Sequence, residues 1–87
     1  GWMGMATTAL RANDFASALA AYDQVLARRP TFASAALGRS WCLLSLGRFD
    51  DAEKALAQAE ELGAPAAFVQ KQRGEIARRR AATPEVR

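Results

Sequence analysis

The spacing of apolar residues along the chain predicts α-helices and no strands. Apolar side chains recur three and four positions apart, as Leu19, Tyr22 and Val25 do, which places them on one face of a helix. No stretch alternates regularly between apolar and polar residues, the pattern typical of a half-buried strand. Five helices are predicted: Trp2–Ala12, Phe15–Arg28, Phe32–Leu46, Phe49–Leu62 and Ala66–Arg80.

Short breaks separate these helices. Asn13 and Asp14 suit a turn followed by a helix N-cap. Pro30 ends the second helix, because the residue before a proline avoids the α region. Gly47 suits the left-handed position that follows a helix. Connections of two to four residues make neighbouring helices antiparallel, and residues 83–87 are expected to fray.

The composition limits the chemistry that the chain can perform. Its 87 residues suffice for one small domain, with 51% hydrophobic and 24% charged residues, as in globular proteins. Histidine is absent and Cys42 is the one cysteine, which excludes a histidine base, a Cys/His zinc site and an intrachain disulfide. We therefore expect no enzyme, no cofactor and no metal site, and the unpaired cysteine favours the reducing cytoplasm. No apolar run approaches the length that spans a bilayer.

Positive charge is concentrated near the C-terminal end. Residues 1–70 carry six basic and seven acidic side chains, whereas residues 71–87 carry six basic and two acidic ones. A basic fifth helix suits nucleic acid, anionic lipid or an acidic partner. The alternative is a solvated helix end whose arginines offset the helix dipole. Nucleic acid is the less favoured partner, because no aromatic residue lies among these charges and no recognition motif accompanies them.

The chain matches itself when it is shifted by 34 residues. A fixed period of this length is typical of stacked helix pairs. Some of the 21 alanines belong to the matched set and stand where two helices must approach closely. The matched pairs are Gly4 with Gly38, Leu10 with Leu44, Phe15 with Phe49, Ala18 with Ala52, Ala21 with Ala55 and Gln24 with Gln58.

The period and its residues resemble the tetratricopeptide repeat, whose signature sets Trp, Leu, Gly, Tyr, Ala, Phe and Pro at fixed spacings. The first copy holds these positions as Trp2, Met5, Ala6, Ala9, Ala18, Tyr22 and Pro30. The second copy holds them as Ala36, Arg39, Ser40, Leu43, Ala52, Leu56 and Ala64, with Pro65 one place late. Arg39 departs from the family, which has an apolar residue there. It must either lie on a slightly rotated helix or reach an acidic partner.

The resemblance implies an all-α fold, a right-handed superhelical stack of antiparallel helix pairs with five helices. One domain is expected over residues 1–82, with repeat one at 1–32, repeat two at 33–66 and a closing helix at 66–80. The implied function is a protein-interaction scaffold that binds a peptide or helix in its concave groove. The alternative is a structural part of a longer repeat array, or a domain that associates with itself as a homo-oligomer.

The family pattern places a set of side chains on the concave groove, which would be apolar at one end and basic at the other. Such a groove suits a ligand with hydrophobic anchors and some acidic character. Trp41 is the favoured binding residue, because tryptophan is enriched among binding hot spots; the alternative is that Trp41 packs as core against the fifth helix. Some family members grip a C-terminal carboxylate through Lys and Asn, but the matching positions hold Met3, Thr7 and Trp41. The predicted groove residues are Met3, Thr7, Leu10, Arg11, Leu37, Trp41, Leu44, Ser45, Phe68, Lys71, Glu75 and Arg78.

Overall fold

The computed structural model of the protein describes residues 1–82 and shows a chain of helices. These are α1 (Trp2–Arg11), α2 (Phe15–Arg28), α3 (Ala33–Ser45), α4 (Phe49–Glu61) and α5 (Ala66–Ala82). No strand occurs among the described residues. The predicted all-α class, with five helices, is confirmed, and the expected fraying of residues 83–87 lies outside the described part of the chain.

Several helix ends differ from the predicted ones by one or two residues. α3 begins at Ala33 because Phe32 has an extended backbone, with φ −79° and ψ 96°, and is the N-cap. α5 continues to Ala82, two residues past Arg80, since alanine at both added positions favours helix. Three helices end one residue before the predicted end, at Arg11, Ser45 and Glu61.

A side-chain cap and left-handed residues shape the turns between helices. Asp14 caps α2, and its carboxylate accepts hydrogen bonds from the Ser17 backbone N–H at 3.2 Å and the Ser17 hydroxyl at 2.6 Å. The hydroxyl bond, and then the backbone bond, lower the pKa of Asp14. After α3 and α4, Gly47 and Gly63 adopt φ of +79° and +94°, which glycine adopts without a steric penalty. Asn13 adopts φ +58° after α1.

Each helix packs against the next, and α3 also contacts α5. The buried side chains form two adjoining clusters. The first joins α1, α2 and α3, and its largest member is Tyr22. The second joins α3, α4 and α5 around Leu43, Leu56 and Ile76. Leu19 and Leu26 of α2 pack against both clusters and so connect them. α3 is therefore enclosed by its neighbours on more sides than any helix at the end of the stack.

α2 and α3 approach closely at Gly38. A Cβ at this position would lie 2.2 Å from Cζ of Tyr22, and the Tyr22 side chain is buried. The ring therefore occupies the space that any larger residue would need. At Gly4, one period earlier, an added Cβ would meet nothing within 4 Å. Packing thus requires glycine at position 38, whereas position 4 is open.

Arg39 reaches an acidic partner, as one of the two alternatives requires. Its Nε atom donates to Oδ1 of Asp23 at 2.8 Å, and the Arg39 side chain is 32% exposed. Because both groups meet solvent, this ion pair contributes at most about 1 kcal/mol. The neighbouring Ser40 is fully buried, and its hydroxyl donates to the backbone oxygen of Ala52 at 3.1 Å. This bond ties α3 to α4 and satisfies a buried polar group.

Candidate binding site between α3 and α5

α3 and α5 form a cleft on one side of the helix stack. The short connections make each helix antiparallel to the next, so α3 and α5 run in the same direction. The cleft between them measures about 300 Å³. On α5 its lining residues stand three and four positions apart, which places them on one helical face. The lining is Trp41 from α3 with Phe68, Lys71, Gln72 and Glu75 from α5.

Two aromatic side chains give the cleft its apolar surface. Trp41 is half-buried and packs against the second core cluster, so its indole has both a core side and an accessible part. Phe68 is 59% exposed, the largest exposed fraction among the large apolar side chains that the structure describes. Its ring therefore contributes little to the folded core and remains available to a partner.

Glu75 organises the charged groups of the cleft. Its carboxylate accepts hydrogen bonds from the guanidinium of Arg78 and from Nε of Arg79, the latter at 2.6 Å. These two bonds, that of Arg78 most, lower the pKa of Glu75. The Arg79 guanidinium carbon also lies 5.3 Å from the centroid of the Trp41 ring, within cation–π range. Arg79 is thereby held between Glu75 and Trp41.

Two polar groups of the cleft lack a partner within residues 1–82. Lys71 is exposed and forms no ion pair there. The Oε1 atom of Gln72 is buried and accepts no hydrogen bond. A buried acceptor without a donor is unfavourable by about 1–3 kcal/mol. To a partner the cleft therefore offers apolar contact and a positive charge.

The structure brings part of the predicted groove together and corrects one of its members. Arg78 adjoins the cleft through its bond to Glu75. Leu37 is half-buried against the second core cluster, and the Ser45 hydroxyl is buried without a hydrogen-bond partner. The prediction that Leu44 lines a groove is wrong: it is 1% exposed, because it packs in the core between α3 and its neighbours. The predicted residues that do line the cleft are Trp41, Phe68, Lys71 and Glu75.

The predicted groove residues of α1 lie away from this cleft. Met3 and Leu10 are half-buried and pack against the first core cluster. Thr7 and Arg11 are exposed, and the Thr7 hydroxyl donates to the backbone oxygen of Met3 at 3.0 Å, within its own helix. None of the four lines the α3–α5 cleft. Their contact with a ligand stays a prediction.

Sequence reasoning missed two residues of the site, Gln72 and Arg79. Gln72 stands four residues after Phe68 and Arg79 stands four after Glu75, so both follow from helical spacing once the first residue of each pair is placed. Helical spacing does not predict the contact between Arg79 and Trp41. That contact depends on how α5 packs beside α3.

Among residues 1–82, neither an accessible thiol nor a cluster of metal-ligand residues occurs. Cys42 is fully buried, and burial, helped by the charge of Asp23, raises its pKa to about 11, so the thiol is protonated at neutral pH. Among the described residues, no three His, Cys, Asp or Glu side chains come together as metal ligands. Within the same part of the chain, no helix combines the length and the apolar character needed to cross a membrane.

A comparison with protein families identifies this arrangement of helices. A family model described as the tetratricopeptide repeat matches residues 3–68, more than half of the chain. The chain belongs to the tetratricopeptide repeat family. This match confirms the predicted family and the helical-repeat fold. Tetratricopeptide repeats are in general non-catalytic scaffolds for protein interactions. No curated protein and no solved structure matches the chain significantly.

Proposed function

We propose that this tetratricopeptide protein is a binding module that holds a peptide or helix of a partner protein in the α3–α5 cleft. The observation that carries the proposal is the cleft's lining, in which the exposed ring of Phe68 and the half-buried ring of Trp41 accompany Lys71, a lysine with no ion pair to residues 1–82. An apolar side chain against the two rings would lose contact with water, which stabilises by about 25 cal/mol per Å². A carboxylate next to that side chain would meet Lys71.

We also propose that the protein is not an enzyme, on the properties of its potential catalytic groups. Nucleophilic catalysis needs a nucleophile within hydrogen-bond reach of a base. The chain has no histidine, and the thiol of Cys42 is buried and protonated. The carboxylate of Glu75 is engaged by two arginines, which keeps it ionised and disfavours its use as a proton donor. A scaffold requires none of these groups.

Nucleic-acid binding through α5 is less favoured, because the arginines of α5 are engaged within the chain. Arg73 pairs with Glu60 at 3.3 Å, and Arg80 pairs with Asp50 at 3.0 Å. Arg78 and Arg79 both pair with Glu75. These contacts offset much of the positive charge that a phosphate backbone would need.

The open face of α1 favours a second candidate, a structural role within a longer repeat array. Tyr22 of the first helix pair covers Gly38 of the next pair, whereas, among residues 1–82, a Cβ added at the matched Gly4 would meet nothing within 4 Å. A shallow groove at Gly4 is lined by Met5 and Thr8, and Met5 is 56% exposed. This face would accept the second helix of another helix pair. Because it is separate from the α3–α5 cleft, the two roles are compatible.

Phe68→Ser tests the cleft without threatening the fold, because the Phe68 ring is mostly exposed. We expect a random peptide library displayed on phage to yield peptides that bind the protein. A synthetic selected peptide is expected to bind Phe68→Ser about tenfold more weakly than the original chain, since one buried aromatic contact at an interface is worth more than about 1 kcal/mol. Isothermal titration calorimetry measures both affinities.

Met5→Ser is the matched control for this experiment. Met5 is similarly exposed, at 56%, but it lies on α1. The selected peptide is expected to bind Met5→Ser and the original chain equally. The proposal fails if Phe68→Ser also keeps the original affinity, or if the library yields no binding peptide.

A further inference from the structure

A second cleft lies at the start of α1, beside the last turn of α2 and the turn that leads into α3. It measures about 290 Å³. Val25 is buried at its base, and three half-buried aromatic or thioether side chains accompany it. Two exposed arginines and Gly1 complete the lining. The residues are Gly1, Trp2, Met3, Val25, Arg28, Arg29 and Phe32.

The second repeat of this chain folds without these side chains, although Trp2 stands at the signature tryptophan position of the family. One period later, the positions of Trp2 and Phe32 are both alanine, at Ala36 and Ala66. Arg28 and Arg29 are likewise replaced by an apolar residue and a glycine. The second repeat therefore folds with small or apolar residues at this place. The large rings and the two charges are particular to the first repeat.

The charge at the cleft is of one sign. No carboxylate is among the lining residues. Neither Arg28 nor Arg29 forms an ion pair within residues 1–82, although the Arg29 guanidinium carbon lies 5.9 Å from the centroid of the Phe32 ring. Arg28 in the last turn of α2 also offsets the helix dipole, but the dipole accounts neither for Arg29 nor for the aromatic lining.

We propose that this cleft binds a peptide segment in which a large apolar side chain stands next to a carboxylate. The apolar side chain contacts Trp2, Met3 and Phe32, which lie around the buried Val25. The carboxylate meets the guanidinium groups of Arg28 and Arg29, which have no competing acid within the cleft. The inference goes beyond the proposed function, because it concerns a separate site with its own residues.

A pair of matched ligands tests the proposal by NMR on the full chain labelled with ¹⁵N. N-acetyl-phenylalanine carries an aromatic ring and a carboxylate, whereas N-acetyl-phenylalaninamide carries the same ring without the charge. We expect the acid to shift the Trp2 indole N–H signal and the backbone N–H signals of Arg28 and Arg29. We expect the amide to bind at least about fivefold more weakly than the acid, since the amide cannot form a charge-assisted hydrogen bond with the arginines.

Single-charge variants locate the carboxylate. Arg28→Gln and Arg29→Gln are each expected to weaken binding of the acid about fivefold and to leave binding of the amide unchanged. Lys54→Gln, which removes an exposed positive charge from α4, is expected to bind both ligands as the original chain does. A third ligand, N-acetyl-aspartyl-phenylalaninamide, presents a side-chain carboxylate in place of a terminal one, and binding of either acid supports the proposal.

Two results would overturn the proposal. The first is that neither acid binds more tightly than N-acetyl-phenylalaninamide, since the arginines then contribute nothing to binding. Signal changes confined to Trp41 and α5 place the ligands in the α3–α5 cleft instead. The Phe68→Ser experiment is independent of both results, so failure here leaves the proposed function standing.

Discussion

Gly38→Ala is expected to destabilise the folded chain by about 2 kcal/mol, although alanine is the better helix former. The added Cβ would lie 2.2 Å from Cζ of Tyr22 and 2.5 and 2.6 Å from the neighbouring ring atoms. Overpacking is unfavourable by about 1–3 kcal/mol, and contacts this short belong at the upper end, about 3 kcal/mol, because the buried Tyr22 ring must move or α2 and α3 must separate. The gain in helix propensity, about 1 kcal/mol, offsets only part of this. Urea denaturation followed by circular dichroism measures the change in the free energy of unfolding.

Two further variants make this prediction specific to the contact between helices. Gly4→Ala is expected to be neutral or to stabilise by up to about 1 kcal/mol, since nothing lies within 4 Å of the added atom. Tyr22→Leu combined with Gly38→Ala is expected to recover part of the loss, because leucine also stands one period after Tyr22, at Leu56. A Gly38→Ala chain as stable as the Gly4→Ala chain would show that α2 and α3 are farther apart.

Trp41→Ala is expected to weaken binding of a selected peptide about thirtyfold or more. Truncation of a central tryptophan at an interface typically raises the free energy of binding by about 2 kcal/mol or more. Trp41 lines the α3–α5 cleft and lies under Arg79, so its loss removes the apolar surface and the cation–π contact together. Titration calorimetry with the peptide measures the loss of affinity.

The same substitution is expected to destabilise the fold, and the two effects must be separated. Trp41 packs against the second core cluster while part of it stays exposed. We therefore expect a cost of about 2 kcal/mol, below the 3–5 kcal/mol of a fully buried ring. Trp41→Phe keeps an aromatic ring and is expected to recover most of the stability and part of the affinity. An affinity for Trp41→Ala within about twofold of the original, measured where the variant is folded, contradicts the assignment.

The fold was largely accessible from the sequence because its signals are local. Asp14 caps α2 and Gly47 follows α3 with a left-handed backbone, as their residue types predict. The 34-residue period then fixed which helices pair. The errors at helix ends have a local cause as well: Phe32 fits a helical pattern by its apolar character, but its extended backbone makes it the N-cap of α3.

The site was less accessible, because it depends on packing between helices that are distant in sequence. Helical spacing separates the faces of α3, but it does not show which face its neighbours cover. Leu44 was therefore predicted to line the groove, although it is buried. The contact of Arg79 with Trp41 joins residues on α5 and α3, and no spacing pattern in the sequence predicts it. Arg39 was recognised as a departure, and only the structure shows that it meets Asp23.

The central claim is that the α3–α5 cleft binds a partner segment, and NMR contacts between a selected peptide and the ¹⁵N,¹³C-labelled chain test it most directly. We predict intermolecular nuclear Overhauser effects from an apolar side chain of the peptide to the Phe68 ring and the Trp41 indole. We also predict shifts of the Lys71 signals on binding. Contacts confined to α2 and α4, with the signals of Trp41 and Phe68 unchanged, would contradict the claim.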